Sequence, residues 1–362
     1  MADSRAPLDP GRRRVNGALV GLLAAATFGA STPFAKLLVD HVGAELLAGL
    51  LYLGAFVALG AAQPALGRRG EAPLRRSDVP RLAGIVVCGG VLAPALMLLG
   101  LQRVSGASGS LLLNLEGPFT LLVALAVFRE HLDRRALLGA VAVFAGAGLL
   151  TTGGSTGGDT LIGVVLVAAA CGLWAVDNNL TQSLTERDPF AIVLVKTGAA
   201  AAINLGVAGV VDRSDPVPPW GVAIGALALG AVSYGLSVVL DAYALRELGA
   251  AREAAIFGTA PFIGLVLSIP VLGHRPTVGE VAAAVVMAIG VVLLILERHA
   301  HHHVHEDLEH DHRHVHDDHH RHAHPPGAEL ADPTVPHSHP HRHAPVAHTH
   351  PHVSDAHHRH PH

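Results

Sequence analysis

The sequence predicts an all-α integral membrane protein: ten transmembrane helices arranged as two inverted five-helix repeats, followed by a disordered histidine-rich tail. Three observations predict it: ten long apolar stretches, a lopsided distribution of arginine between alternate loops, and an internal repeat at a spacing of 143 residues. The 362 residues divide accordingly into an N-terminal segment (1–15), a first repeat (16–152), a linker (153–159), a second repeat (160–297) and the tail (298–362).

The apolar stretches run roughly over 17–39, 43–62, 81–102, 106–128, 136–152, 160–181, 189–211, 221–244, 253–272 and 277–296. Most approach the ~20 residues that carry a helix across ~30 Å of hydrocarbon. Helices of a soluble protein would carry polar faces, and these have almost none. Their glycine and alanine suit helices that approach closely in lipid. The first stretch follows Arg12, Arg13 and Arg14 but is too long for a signal-peptide core, and no small-residue cleavage site follows at the right distance, so it reads as helix 1. Both cysteines, Cys88 and Cys171, fall inside apolar stretches and do not suggest a disulfide framework.

Arginine sets the orientation. With the N-terminus in the cytoplasm, the inner segments up to Arg298 hold sixteen arginines and the outer loops only Arg103, Arg213 and Arg275. Positive residues accumulate on the cytoplasmic side, so both termini are expected there.

The repeat is read from "GASGSLLLNLEGPFTLLVALAVFREH" (106–131) against "GAAREAAIFGTAPFIGLVLSIPVLGH" (249–274), which align without a gap. Pro118-Phe119 falls on Pro261-Phe262, and His131 on His274. "TFGASTPFAK" (27–36) parallels "GLWAVDNNLT" (172–181). Five helices per copy is an odd number, so the second copy lies upside down. Such inverted repeats are a hallmark of secondary transporters, which alternate access around a site near the midplane.

With these residues in view, the two copies resemble the paired EamA domains of the drug/metabolite transporter superfamily, over roughly 16–297. The Pro-Phe breaks and "FREHLDRRALLGA" carry the resemblance. The second copy departs from the pattern: Gly273-His274 stands where a Gly-Glu pair is common, with Glu280 following. The resemblance implies a ten-helix carrier of small organic solutes, usually an exporter, and leaves the solute open.

Within this frame the polar residues of the apolar stretches become candidates. Glu116 lies near the middle of helix 4, two residues before Pro118; its repeat mate is Thr259, and Asn114 maps onto Phe257. The architecture therefore needs the break at Pro118 and Pro261 but not the carboxylate. A charge in lipid costs at least ~2.5 kcal/mol. Either Glu116 pairs with a buried lysine as structural glue, or it binds a substrate amine or carries the coupling proton. The two lysines of the chain are Lys36, expected to snorkel to the interface, and Lys196, at a depth similar to Asp177. Asp177 and Lys196 are expected to form a buried ion pair, a polar patch facing the substrate, or both. Asn178, Asn179 and Tyr234 add uncharged hydrogen-bonding capacity, while Asp241 and Glu253 are expected at solvated helix ends.

Several chemistries are excluded. No GxxxxGK[ST] loop is present to bind a nucleotide, and no HExxH to hold zinc. "GASG" (106–109) opens a membrane helix as a rhomboid protease serine motif does, but His41, His131 and His274 lie at loop edges and offer no partner. The chain is not expected to be an enzyme. Few aromatic residues are available for a cage around a bulky cation.

The tail from His299 holds 24 of the 27 histidines among Pro, Asp, Glu and Arg, and is too polar to bury a core. HxH recurs, above all at His310, His312, His314 and His316 and at His337, His339, His341 and His343. In an extended chain this spacing sets two imidazoles on one side, a donor pattern suited to Zn, Ni, Co or Cu(II). The bland alternative is a pH-responsive solvated polymer. Its nine Asp and Glu against four Arg are roughly balanced at pH 7 by the fraction of histidine protonated near a pKa of ~6.5.

These features together predict a secondary transporter, an exporter of a small polar metabolite, in an inner plasma membrane of bacterial type, with a metal-binding regulatory tail. The rivals are a carrier of divalent metal or metal chelate (Ni, Co or Zn) fed by the tail, and a metal-buffering membrane protein that transports nothing. No cofactor is required. The partners expected are the substrate, the lipid bilayer and divalent metal ions, with no nucleic acid; the oligomeric state is open, a homodimer being the candidate.

Overall fold

The computed structural model describes residues 10–66, 72–128, 134–152, 160–184, 187–211, 218–248 and 255–295, and in the tail 299–305, 308–314, 337–343 and 346–352. Among them, nine helices are long and apolar enough to cross a membrane as single spans. We number them helix 1 (Gly17–Val39), 2 (Ala44–Gln63), 3 (Arg76–Leu101), 5 (Arg134–Thr151), 6 (Leu161–Gln182), 7 (Pro189–Val211), 8 (Trp220–Asp241), 9 (Ala255–Leu272) and 10 (Val278–Ile295). The tenth, helix 4, crosses in two halves, Gly106–Leu112 and Glu116–Phe128, joined by a 3-10 turn over Leu113–Leu115. Helices suit this composition because hydrocarbon offers backbone groups no partner but one another.

The packing follows the repeat. Helix 1 packs on helices 8 and 9, as helix 6 packs on helices 3 and 4; helix 2 packs on 7 and 8, and helix 5 on 10. Exchanging each helix with the one five places on turns the first group into the second and maps the pairs 2–7 and 5–10 onto themselves. Glycine sets the closeness of two of these contacts. A Cβ on Gly54 would lie 2.1 Å from the carbonyl oxygen of Leu227, and one on Gly230 only 1.9 Å from that of Leu51, so helices 2 and 8 meet backbone to backbone. Gly139 and Gly290 do the same for helices 5 and 10, each 2.8 Å from the other's carbonyl oxygen by the same measure.

The two three-helix groups do not meet evenly along their length. The arginine-poor half of helix 4, Gly106–Leu112, packs on helices 9 and 1. The other half, Glu116–Phe128, packs chiefly on helices 6 and 5. Helix 1 adds a contact with helix 3 through its last residues, Ser31–Val39. Among the described residues the groups thus join at the arginine-poor end and part toward the arginine-rich end, and Glu116 begins the half of helix 4 that has left helices 1 and 9.

The described parts of the tail form two antiparallel ladders: β1 (His299–His305) with β4 (Val346–His352), and β2 (Leu308–His314) with β3 (His337–His343). A two-stranded ladder satisfies backbone hydrogen bonds without needing a core and is at best marginally stable alone. The packed core among the described residues lies in the helical bundle.

Candidate functional site

The site begins at the break in helix 4. Pro118 cannot donate to the carbonyl of Asn114 and its ring crowds that carbonyl. The chain accommodates it by tightening to a 3-10 turn over Leu113–Leu115. Helix 9 turns at residues 258–259, just before its own Pro261, so both breaks stand where the repeat predicts them. Asn114 is buried; its side-chain amide donates to the carbonyl of Leu111 (2.9 Å) and lies 4.0 Å from Met287 Sδ.

Glu116, just past the turn, is half-buried, and its Oε1 accepts from Asn178 Nδ2 of helix 6 at 2.6 Å. The neighbouring Asn179 donates to the carbonyls of Ala175 (2.8 Å) and of Thr120 (3.3 Å) in helix 4. The two asparagines thereby tie helix 6 to the arginine-rich half of helix 4, one through a carboxylate and one through backbone. Sequence reading left a buried lysine open as the partner of Glu116. The lysine at this depth, Lys196, instead bonds Asp177 Oδ2, with Asp177 almost fully buried.

Helix 3 makes room for this pair. A Cβ on Gly89 would fall 2.1 Å from Asp177 Oδ2, a position only glycine can hold. Gly89 lies in a π-helical turn, Val86–Leu92, whose wider ring turns carbonyls away from the regular ladder. The carbonyl of Gly89 accepts from Tyr52 Oη (2.8 Å) and Trp174 Nε1 (3.2 Å), and that of Gly90 from Asn204 Nδ2 (2.9 Å). Asn204 is fully buried and its Oδ1 has no hydrogen-bond partner. Helix 8 has a matching π turn, Gly230–Leu236, which carries Tyr234. The Tyr234 ring packs on Tyr52 (centroids 5.6 Å apart) and Phe28 (6.4 Å), and Phe28 on Phe257 (5.2 Å), the repeat mate of Asn114.

Of the residues picked from the sequence, Glu116 and Asn178 touch, as do Asp177 and Lys196, and Tyr52 links the Asp177 environment to Tyr234. Asn114 points back into its own turn. Sequence reading missed Tyr52, Trp174, Asn204 and the Gly89 and Gly90 carbonyls. Tyr52 and Asn204 are polar groups inside apolar spans and could have been flagged by the rule that found Asn178; the carbonyls could not, because a π turn has no signature in the residues.

Lys36 bonds at the arginine-poor end of the bundle: its Nζ donates to the carbonyl of Leu101, the last residue of helix 3, at 2.6 Å, and Asp40 lies 3.7 Å away. One expectation needs correcting. Asp241 is not a simple solvated end, because its Oδ1 is buried without a hydrogen-bond partner. Glu253 and His316 lie outside the described residues, as does His131. No group of three His, Cys, Asp or Glu among the described residues is arranged to hold a metal ion.

Glu116, Asn178, Asp177 and Lys196 thus form a polar cluster on helices 4, 6 and 7 of an apolar bundle, and this cluster is the candidate site. The chain is similar to several known proteins. An uncharacterized transporter of Methanothermobacter thermautotrophicus (strain Delta H) is 30% identical over 241 residues, covering 64% of this chain and 69% of that protein. The uncharacterized transporter YyaM of Bacillus subtilis (strain 168) is 25% identical over 211 residues, or 55% and 67% of the two chains. A solved structure, titled only as the crystal structure of a protein, shares the fold with a TM-score of 0.58 over 78% of this chain and 98% of its own, at 18% identity. The model of the EamA-like transporter family matches twice, over residues 15–152 and 161–296, once for each half of the bundle. The chain belongs to the EamA-like transporter family.

Proposed function

We propose that the protein is a secondary active transporter that exports a small polar metabolite across the inner membrane, with the arginine-rich end and both termini in the cytoplasm. The observation that carries this reading is Glu116: a carboxylate at the break of helix 4, at the level where the two helix groups part, bonded to Asn178, whose chain neighbour Asp177 is paired with Lys196. Fixed hydrogen-bonding groups beside exchangeable charge are what a polar substrate or a coupling proton requires. The absence of histidine from the middle of the described spans speaks against a bare metal ion as cargo. For the orientation, alkaline phosphatase fused at residue 298 is expected to be inactive and a fluorescent protein fused there to glow; the reverse pattern sinks the assignment.

We further propose that the tail binds divalent metal and tunes transport. The register of β2 and β3 supports it: His310 pairs with His341, His312 with His339 and His314 with His337. Alternate residues of a strand share a face, so the six stand on one face as three cross-strand pairs. Imidazole must be neutral to ligate, so binding should weaken below about pH 6.

One experiment tests both parts: metabolite profiling of a deletion strain carrying either the full chain or one truncated after Arg298, with added Zn, added Ni or a chelator. We expect one class of small polar metabolite to accumulate in the deletion strain and to leave cells carrying either version, with metal shifting the rate of the full chain only. A change confined to cellular Ni or Zn would favour the metal carrier. Loss of export on truncation under every condition would put the tail inside the mechanism.

A further inference from the structure

Far from Glu116, at the arginine-poor end, a second carboxylate is almost completely buried. Glu280, in the first turn of helix 10, is only 3% exposed. Its Oε2 accepts from the backbone N–H of Thr277 (2.8 Å) and from Thr277 Oγ1 (3.2 Å), and lies 2.9 Å from His274 Nε2. Its Oε1 accepts from Ser105 Oγ (3.2 Å) and Ser108 Oγ (3.4 Å).

The local backbone presents these groups. Gly273 ends helix 9 with φ of 65°, a left-handed turn that suits glycine, and so brings His274 back toward helix 10. Ser105 is the N-cap of helix 4 and accepts from the N–H of Ser108 (3.0 Å), which holds both hydroxyls at the start of that helix.

What matters is which elements the carboxylate joins. Ser105 and Ser108 belong to helix 4, of the group 3–4–6. His274 follows helix 9, of the group 1–8–9. Glu280 thus bridges the two groups at the end where they close. Lys36 makes a second bridge beside it, from helix 1 to the carbonyl of Leu101 in helix 3. The ion pair at the opposite end, Arg187–Asp78 (2.9 Å), differs in kind: it joins the start of helix 3 to the segment between helices 6 and 7 and does not span the groups that part.

We propose that Glu280 is the lock of the arginine-poor mouth: with His274, Thr277, Ser105 and Ser108 it holds helices 4, 9 and 10 together in the closed state, and its bonds to Ser105 and Ser108 break each time that mouth opens. The proposal rests on the transport reading, since only a chain that alternates access has a mouth to open. It deepens that reading by assigning the gate. Hydrogen bonds to a charged acceptor are stronger than those between neutral groups, so a neutral residue at 280 weakens the closed state without emptying the pocket.

The test measures the mouth directly and needs no substrate, so its failure is distinct from failure of the transport reading. In a background with Cys88 and Cys171 replaced by alanine, one reporter is Ser110→Cys, buried just beneath the lock (1% exposed). A control reporter is Val143→Cys, fully buried in helix 5 where it packs on helix 10. A membrane-impermeant maleimide is applied to the face opposite the tail. We expect Glu280→Gln and His274→Ala to speed labelling at position 110 by about tenfold or more, in line with the loss of charge-assisted bonds, and to leave position 143 unlabelled. Unchanged labelling at 110 overturns the proposal. Faster labelling at both reporters also overturns it, because the carboxylate would then hold up the fold as a whole.

Discussion

Glu116→Gln is expected to reduce transport to background while the protein inserts and folds as before. Glutamine keeps the shape of the side chain and an oxygen that can still accept from Asn178 Nδ2, now at 2.6 Å from the carboxylate. What it removes is the charge. Burying that charge in lipid costs at least about 2.5 kcal/mol, so its loss should not destabilise the bundle. A substrate amine or a coupling proton, by contrast, would have no counter-charge to bind. Flux in vesicles and the thermal melt in detergent, measured together, separate the outcomes. Normal flux eliminates both a proton-carrying and an amine-binding role. A collapse of protein yield instead makes Glu116 structural.

The second large effect is expected at the Asp177–Lys196 pair. Asp177 is 2% exposed, and helix 3 gives up a side chain at Gly89 to fit it. Removing one partner leaves the other charge buried, which costs on the order of 3–5 kcal/mol, whereas replacing both with uncharged groups is often neutral. Asp177→Asn and Lys196→Met should therefore each lower the melting temperature and the yield of folded protein, and the double variant should recover most of the loss. Single variants as stable as the parent would mean that water or lipid headgroups already neutralise the pair. Transport by the recovered double variant then assigns its role: flux near the parent's makes the pair a support for helices 6 and 7, and absent flux makes it part of the path that Glu116 opens.

What the sequence determined alone follows from the solvent the chain sits in. Hydrocarbon tolerates long apolar helices and few charges, so the spans, the uneven arginines and the odd carboxylate at Glu116 stand out in one dimension. The inverted repeat is legible because Pro118 and Pro261 fall at matching positions of the two copies, and each removes a backbone donor from its helix. Tertiary structure alone decided which polar groups meet. Glu116 and Lys196 are far apart in sequence and near in space, yet the bond goes to Asn178, because helix 6 presents its amide to helix 4 and Gly89 steers Asp177 to the lysine. The carbonyls of Gly89 and Gly90 became acceptors through a π turn, a shift of backbone register set by packing and not by residue type. The buried place of Glu280 was likewise invisible: only the return of the chain at Gly273 and the approach of helix 4 enclose it. That the two helix groups join at the arginine-poor end and part at the other follows from how the two halves lean on each other, a matter of packing between segments far apart in the chain.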